Sequence, residues 1–320
     1  MRWGGLLLLG LAVAFASPMW AQPVEPGDEP CELGTARRTL TSSSVQATVY
    51  NTGGLFFGSQ TSAGGGYLLP TDTGNSPTFA ASLWLGGTVG GDLRVAASRW
   101  GGWDFFPGPL EDAEAPPTNC SAYDRIYVVS RDDIRRYYQT GEATKDLRDW
   151  PYQLGAPVLD GDGVEGNYNL AGGDQPDLIG DQAAWWVMND ASGDHGASSV
   201  NGPLGVEVRV LAFVYGQRRA TASPVLDQTS FYRYEIINRR GQPIEQMYAS
   251  LWNGGPLGDG GDDYIGTDSL LSMGIMYNDS NEDAAYGSPP PAIGVQFLQG
   301  PIGLANGRDD DFDGEVDEPE

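Results

Sequence analysis

The feature that most narrows the choice of fold is a period of two. Val206, Val208, Val210, Ala212 and Val214 occupy alternate positions, which puts them on one face of a strand and turns that face toward a core. Shorter stretches carry the same signal. Residues 46–50 and 54–57 read as strands divided by an Asn-Thr-Gly turn. Residues 80–85 and 92–96 flank a glycine-rich link at 86–91, a loose hairpin. Residues 231–238, 247–252 and 294–298 continue the series, with a turn at 239–243. Short alternating strands cut by Gly, Pro and Asn predict an all-β chain, with antiparallel sheets packed as a β-sandwich and long Gly/Asp-rich loops between them. One short helix stands out near 131–140: Ser130 is the N-cap, Asp133 completes a capping box, and Gly141 is the stop, with Arg135 and Arg136 toward the negative end. Residues 22–44 read as polar and irregular, and 107–119 as a Pro/acid loop.

The 320-residue length suits one large or two ordinary domains. Residues 1–21 read as an export signal: Arg2 gives the charged start, 6–16 the apolar run, and cleavage is expected after Ala21, with Ala16 as the alternative. A β-rich region at 22–149, a β-sandwich domain at 150–305 and an acidic tail at 306–320 follow, although the two halves fit one extended sandwich as well. No later stretch is long and apolar enough to insert in a bilayer. An oxidising compartment makes Cys31 and Cys120 a disulfide closing a long loop; two buried thiols are the other reading.

Charge excludes several functions. Acids number 43 against 18 Lys and Arg, for a net charge of −25, and a surface so negative repels nucleic acid and anionic lipid. The chain has one lysine, Lys145, and one histidine, His195, so no multi-histidine metal site forms. Adaptation to salt accounts for a diffuse acidic surface, whereas clustering of the acids points to metal. The most specific cluster fills a twelve-residue calcium loop: Asp309, Asp311 and Asp313 at positions 1, 3 and 5, Gly314 at 6, Glu315 through its carbonyl at 7, Asp317 at 9 and Glu320 at 12. Asp160 and Asp162 begin a similar loop that lacks its third acid, with Asp174, Asp177 and Asp181 close behind. Asp259, Asp262 and Asp263, with Asp268 nearby, form the third cluster. Calcium is the expected ligand because it takes six to eight hard oxygens in flexible geometry. Solvated Asp-Gly turns are the plainer alternative.

Catalytic patterns are absent from the sequence. His195 sits in Ser-Gly-Asp-His-Gly, a turn composition that predicts a solvent-exposed side chain, and no nucleophile elbow or phosphate loop occurs. A glycosidase needs only an acid pair, and Trp84, Trp100, Trp103, Trp185, Trp186 and Trp252 are available for sugar stacking or for the core.

Residues 181–190, 231–238 with 247–252, 258–278 and 290–294 together resemble large secreted surface proteins of the Bacteroidota and their salt-loving or thermophilic relatives, over roughly residues 120 to 320. That resemblance implies export by the type IX system and display at the cell surface, and it assigns no catalytic activity. Such proteins end in a strand-rich sorting domain that does not follow Glu320 here, so a longer native protein or retention by a partner is expected. The combined expectation is a secreted, calcium-stabilised structural or adhesive protein that assembles with itself or with other surface proteins. A polysaccharide-binding module or glycosidase is the alternative.

Overall fold

A computed structural model describes residues 31–58, 65–99, 104–117, 119–193, 195, 201–216 and 224–300. In chain order the first half holds β1 (Arg37–Thr41), β2 (Gln46–Tyr50), β3 (Gly54–Leu55), β4 (Tyr67–Leu68), β5 (Ala80–Val89), β6 (Asp92–Ala97), β7 (Phe106–Pro107) and β8 (Tyr127–Ser130), then α1 (Arg131–Thr140) and α2 (Lys145–Arg148). The second half holds β9 (Val158–Leu159), β10 (Gln175–Pro176), β11 (Gln182–Asn189), β12 (Val206–Val214), α3 (Pro224–Asp227), β13 (Ser230–Asn238), β14 (Glu245–Gly254), β15 (Asp263–Asp268), β16 (Met273–Asn278) and β17 (Ala292–Gln296).

The chain is all-β, and its sheets are antiparallel. The largest sheet runs β1-β2-β3-β5-β14, with β4 on β2 and β6 on β5; a second runs β13-β12-β11-β7, with β8 on β11; β9 and β10 form a two-stranded ladder and β15-β16-β17 a three-stranded sheet. The first two face each other across one core, in which Leu40, Val49, Leu55, Leu83 and Leu85 of the first sheet meet Trp186, Met188, Val206, Val208 and Val210 of the second. Both sheets draw strands from both halves of the sequence, since β14 pairs along β5 from Thr88 to Ala80.

The period-two reading of 206–214 holds for the inner face, but β12 is buried on its outer face too. There Leu211, with Trp185 and Val187 of β11, packs under α1, α2 and the segment after them, through Leu147, Trp150 and Ile134. Trp150, Trp185 and Trp186 are thus core residues; Trp100 and Trp103 lie outside the described residues.

The helix at 131–140 forms as its ends specify: the Ser130 hydroxyl accepts from the Asp133 N–H, Asp133 reaches back to the Ser130 N–H, and Gly141 takes the left-handed conformation. Its arginines do not cap the negative end. Arg135 and Arg136 instead pair with Asp132 and Asp133 one turn back.

Three strand expectations change. Gly86 and Gly87 continue β5, and the reversal is a two-residue turn at Gly90 and Gly91, both at positive φ. The strand at 54–57 stops after Leu55, because Phe56 enters the left-handed region. Residues 37–41, read as irregular, form β1. Their sequence, Arg-Arg-Thr-Leu-Thr, offers one apolar side chain, and the ladder to β2 rather than local pattern makes them a strand.

Cys31 and Cys120 form a disulfide across 89 positions, packed on Phe106. Beside it Asp124 accepts from the N–H groups of Thr35 and Ala36, the Thr35 hydroxyl and the Asn51 amide, which ties the start of the described chain to the 120s. Among the described residues no helix is long and apolar enough to cross a membrane.

Candidate metal centre

The strongest cluster of polar side chains grows from the two-residue ladder between β9 and β10. Leu159 pairs with Gln175, so the residues just inside the loop, Asp160 and Asp174, start side by side. The loop mouth is narrow: a Cβ on Gly161 would run into the backbone of Gly173, which makes glycine necessary at 161. Asp160 then folds the chain with its own carboxylate, whose Oδ1 accepts from the N–H groups of Asp162 (3.1 Å) and Gly163 (2.6 Å). Gly163 takes positive φ to complete that turn. Asp162 accepts from the Val164 N–H at 2.9 Å and, on its other oxygen, from the side-chain amides of Asn167 (3.2 Å) and Asn169 (2.9 Å). These bonds, led by the one from Asn169, hold its carboxyl below the usual range and keep it ionised.

Asp174 is fully buried. Its Oδ1 accepts from Gly161 at 3.0 Å and its Oδ2 from Asn169 at 2.6 Å. One carboxylate oxygen from each of Asp160, Asp162 and Asp174 lies within 4.8 Å of the other two. None of the three acids is in an ion pair among the described residues. Asn167, whose amide N–H reaches Asp162, has its Oδ1 shielded from solvent with no hydrogen-bond partner. Three converging carboxylates form a donor set made only of hard oxygens, which fits a metal ion of the calcium or magnesium type and fits a soft metal poorly.

The other expected ligands of this loop stand apart. Asp181 accepts from the Gly216 N–H and faces Arg131 at 3.9 Å. Asp177 is exposed and outside the cluster. The third acid missing from the local motif is therefore Asp174, brought in by the β9–β10 neck. A shallow cleft of about 580 Å³ opens beside the loop, between Tyr137 and Arg148 on the helices and Leu170 and Ala171 on the loop.

The 259–263 cluster is looser. Asp263 opens β15 opposite Asn278 of β16 and accepts from the Leu257 N–H at 2.8 Å. Burial pushes its carboxyl up, with Asp262, Asp283 and Asp259 adding to the rise against that hydrogen bond. The Asp262 Oδ1, Asp263 Oδ1 and Asn278 Oδ1 atoms are shielded and without partners. Asp259 bonds its own turn through Gly261, and Asp268 accepts from Leu270 and Leu271. The organising acid is Asp283, which accepts from Asp259, Ala285 and Tyr286; a single Asp in a polar run gives no sequence signal for that role. Asp309, Asp311, Asp313, Glu315, Asp317 and Glu320 lie outside the described residues.

His195 is buried, against the expectation of a solvent-exposed turn. The reason is Asp190. Its carboxylate accepts from the N–H groups of Leu204, Gly205 and Val206, where β12 begins. His195 Nε2 stands 3.5 Å from Asp190 Oδ2. Asp104, also buried, accepts from the Ala97 N–H, and burial raises its carboxyl pKa. No nucleophile accompanies this histidine among its described partners: the Ser192 hydroxyl is spent on Asn189.

No family model, curated protein or solved structure matches this chain.

Proposed function

We propose that the chain is an extracellular structural or adhesive protein in which calcium fixes the 160–174 loop. The observation that carries this reading is the convergence of Asp160, Asp162 and Asp174, one carboxylate oxygen of each within 4.8 Å of the other two. Negative charge on carboxylates this close is repulsive, and a divalent cation converts that repulsion into attraction. The bound ion rigidifies a long connection that lies against α1, where the Tyr138 hydroxyl donates to the Gly173 carbonyl at 3.2 Å. Placement outside the cell is supported by the Cys31–Cys120 disulfide, which persists in oxidising surroundings. It is supported further by the resemblance to secreted surface proteins and by the acidic, lysine-poor surface.

Calorimetric titration of chelator-treated protein with calcium tests the metal. Saturable binding that Asp162→Asn abolishes is the expected result. No heat and no thermal shift up to millimolar calcium refutes the proposal. Fractionation of producing cells tests the location, and retention of the chain in the cytoplasm counts against it.

A further inference from the structure

The outer face of the larger sheet carries a second site. Ala81, Leu83 and Leu85 of β5, Ala96 of β6 and Ala249 and Leu251 of β14 point into the core. Alternation therefore turns Trp84, Gly86, Leu93, Val95, Tyr248 and Trp252 outward. Pairing aligns Tyr248, Gly86 and Val95 in one row across the three strands, and places Trp84 between Ser250 and Ala97 in the next. The Trp84 and Trp252 rings are parallel, 1° between planes and 6.1 Å between centroids. The Trp84 indole is fixed, since its Nε1–H donates to the Ser98 carbonyl at 2.7 Å. Gly86 leaves the floor of its row bare: a Cβ there would have nothing closer than 3.8 Å. Tyr248 is 77% exposed and Leu93 62%. The result is a trough floored by Gly86, walled by Tyr248 and Val95, with the Trp84 ring along one side.

Charge selects the occupant. The chain has 43 acids, yet among the described residues these three strands turn one charged side chain to this face. That residue is Glu245, opposite Thr88 at the bulged end of the β5–β14 ladder. A second copy would bring two chains of −25 together, and an anionic polymer would meet the same field. A neutral sugar chain meets no such penalty. The C–H faces of its rings stack on indole and phenol faces, as apolar groups do on aromatic surfaces, and its hydroxyls find partners in Ser250, Thr88 and Glu245 along the rim. We propose that this face binds a neutral polysaccharide laid across β14, β5 and β6. The inference goes beyond the metal reading and does not depend on it.

Native affinity electrophoresis of the full chain tests it, through gels containing hydroxyethylcellulose, galactomannan, laminarin or dextran, each run with calcium and with EDTA. Retardation by at least one polymer in both conditions is expected, weakened about tenfold in Tyr248→Ala, whose exposed side chain leaves the fold unchanged by near-ultraviolet dichroism. No retardation by any of the four overturns the proposal, as does retardation unaltered by Tyr248→Ala. Retardation seen only with calcium assigns binding to the metal loop and overturns it too. Self-association that Tyr248→Ala abolishes, measured by sedimentation, assigns the face to a second copy with the same consequence. A chain that is retarded but takes up no calcium keeps this proposal and loses the one before it.

Discussion

Replacing Asp174 by Asn separates the structural from the metal-binding work of the 160–174 loop. The substitution keeps shape and removes charge. In the metal-free protein the fully buried carboxylate accepts from the N–H groups of Gly161 and Asn169, and hydrogen bonds to a charged group contribute about 1.5–3 kcal/mol each. An amide keeps one acceptor and sets an NH2 against the other N–H. Relief of repulsion from Asp160 and Asp162 offsets part of that loss, so a net destabilisation of about 1–2 kcal/mol is expected without metal. With calcium at a hundredfold its dissociation constant, the wild type gains about 2.7 kcal/mol, and the variant gains little because its ion has lost a ligand. The gap between the two proteins then widens to about 4 kcal/mol. At roughly 2–3 °C per kcal/mol for a chain of this size, calcium raises the wild-type melting temperature by about 6 °C and leaves the variant nearly still. Differential scanning calorimetry on EDTA-stripped protein, with and without calcium, measures all four values. An equal calcium-induced rise in both proteins refutes the placement of the ion at Asp174, and no rise in the wild type refutes the ion.

Three further outcomes are accessible to the same instrument or to urea titration. Cys31→Ser with Cys120→Ser lowers stability by about 4–5 kcal/mol, the chain-entropy value for the 89-residue separation. Reductant should reproduce the loss in the wild type and do nothing to the double variant. Glu207→Ala costs about 3–5 kcal/mol, because Glu207 is buried and its removal takes a carboxylate from Arg239 and from Arg209, which keeps only Glu235 at 3.5 Å, and leaves the Leu110 N–H without its acceptor. Burial raises the Asp124 carboxyl, but the hydrogen bonds from Thr35, Ala36 and Asn51 outweigh it and hold the folded value below the unfolded one. Its contribution is therefore complete above the ordinary carboxyl pKa of about 3.9 and fades as pH falls through the folded value. The melting-temperature gap between wild type and Asp124→Asn should stay constant from neutral pH to about 4.5 and close below that; a gap that widens in acid contradicts the sign.

The inner strands were legible because burial on one face writes a period of two into the text, as at 206–214. The second burial of β12 was not, because the helices that cover Leu211 lie far upstream in the chain and leave no mark on the local pattern. The α1 boundaries were readable to the residue, since Ser130, Asp133 and Gly141 act on their own neighbours. In the loop, Asp160 and Asp162 announce themselves by Asp-Gly spacing, and Asp174 came into view as a nearby acid. What told it apart from Asp177 and Asp181 was the β9–β10 ladder, a long-range fact. Asn167 and Asn169 carry a local signal too, as amides interleaved with acids in a glycine-rich loop. The burial of His195 was unreadable because it depends on Asp190 gripping residues more than a dozen positions downstream.

The closure of β5 by β14 bears on when the protein can fold. β5 is complete at Val89, but the strand that covers its long edge begins at Glu245. Everything made in between must wait: β11 and β12 can pair locally, yet the sheet they face has no finished edge until Gly254 is available. Long-range strand pairing of this kind folds slowly. A chain whose core shuts last leaves the apolar faces of β5, β11 and β12 uncovered for most of its synthesis, until β14 is made.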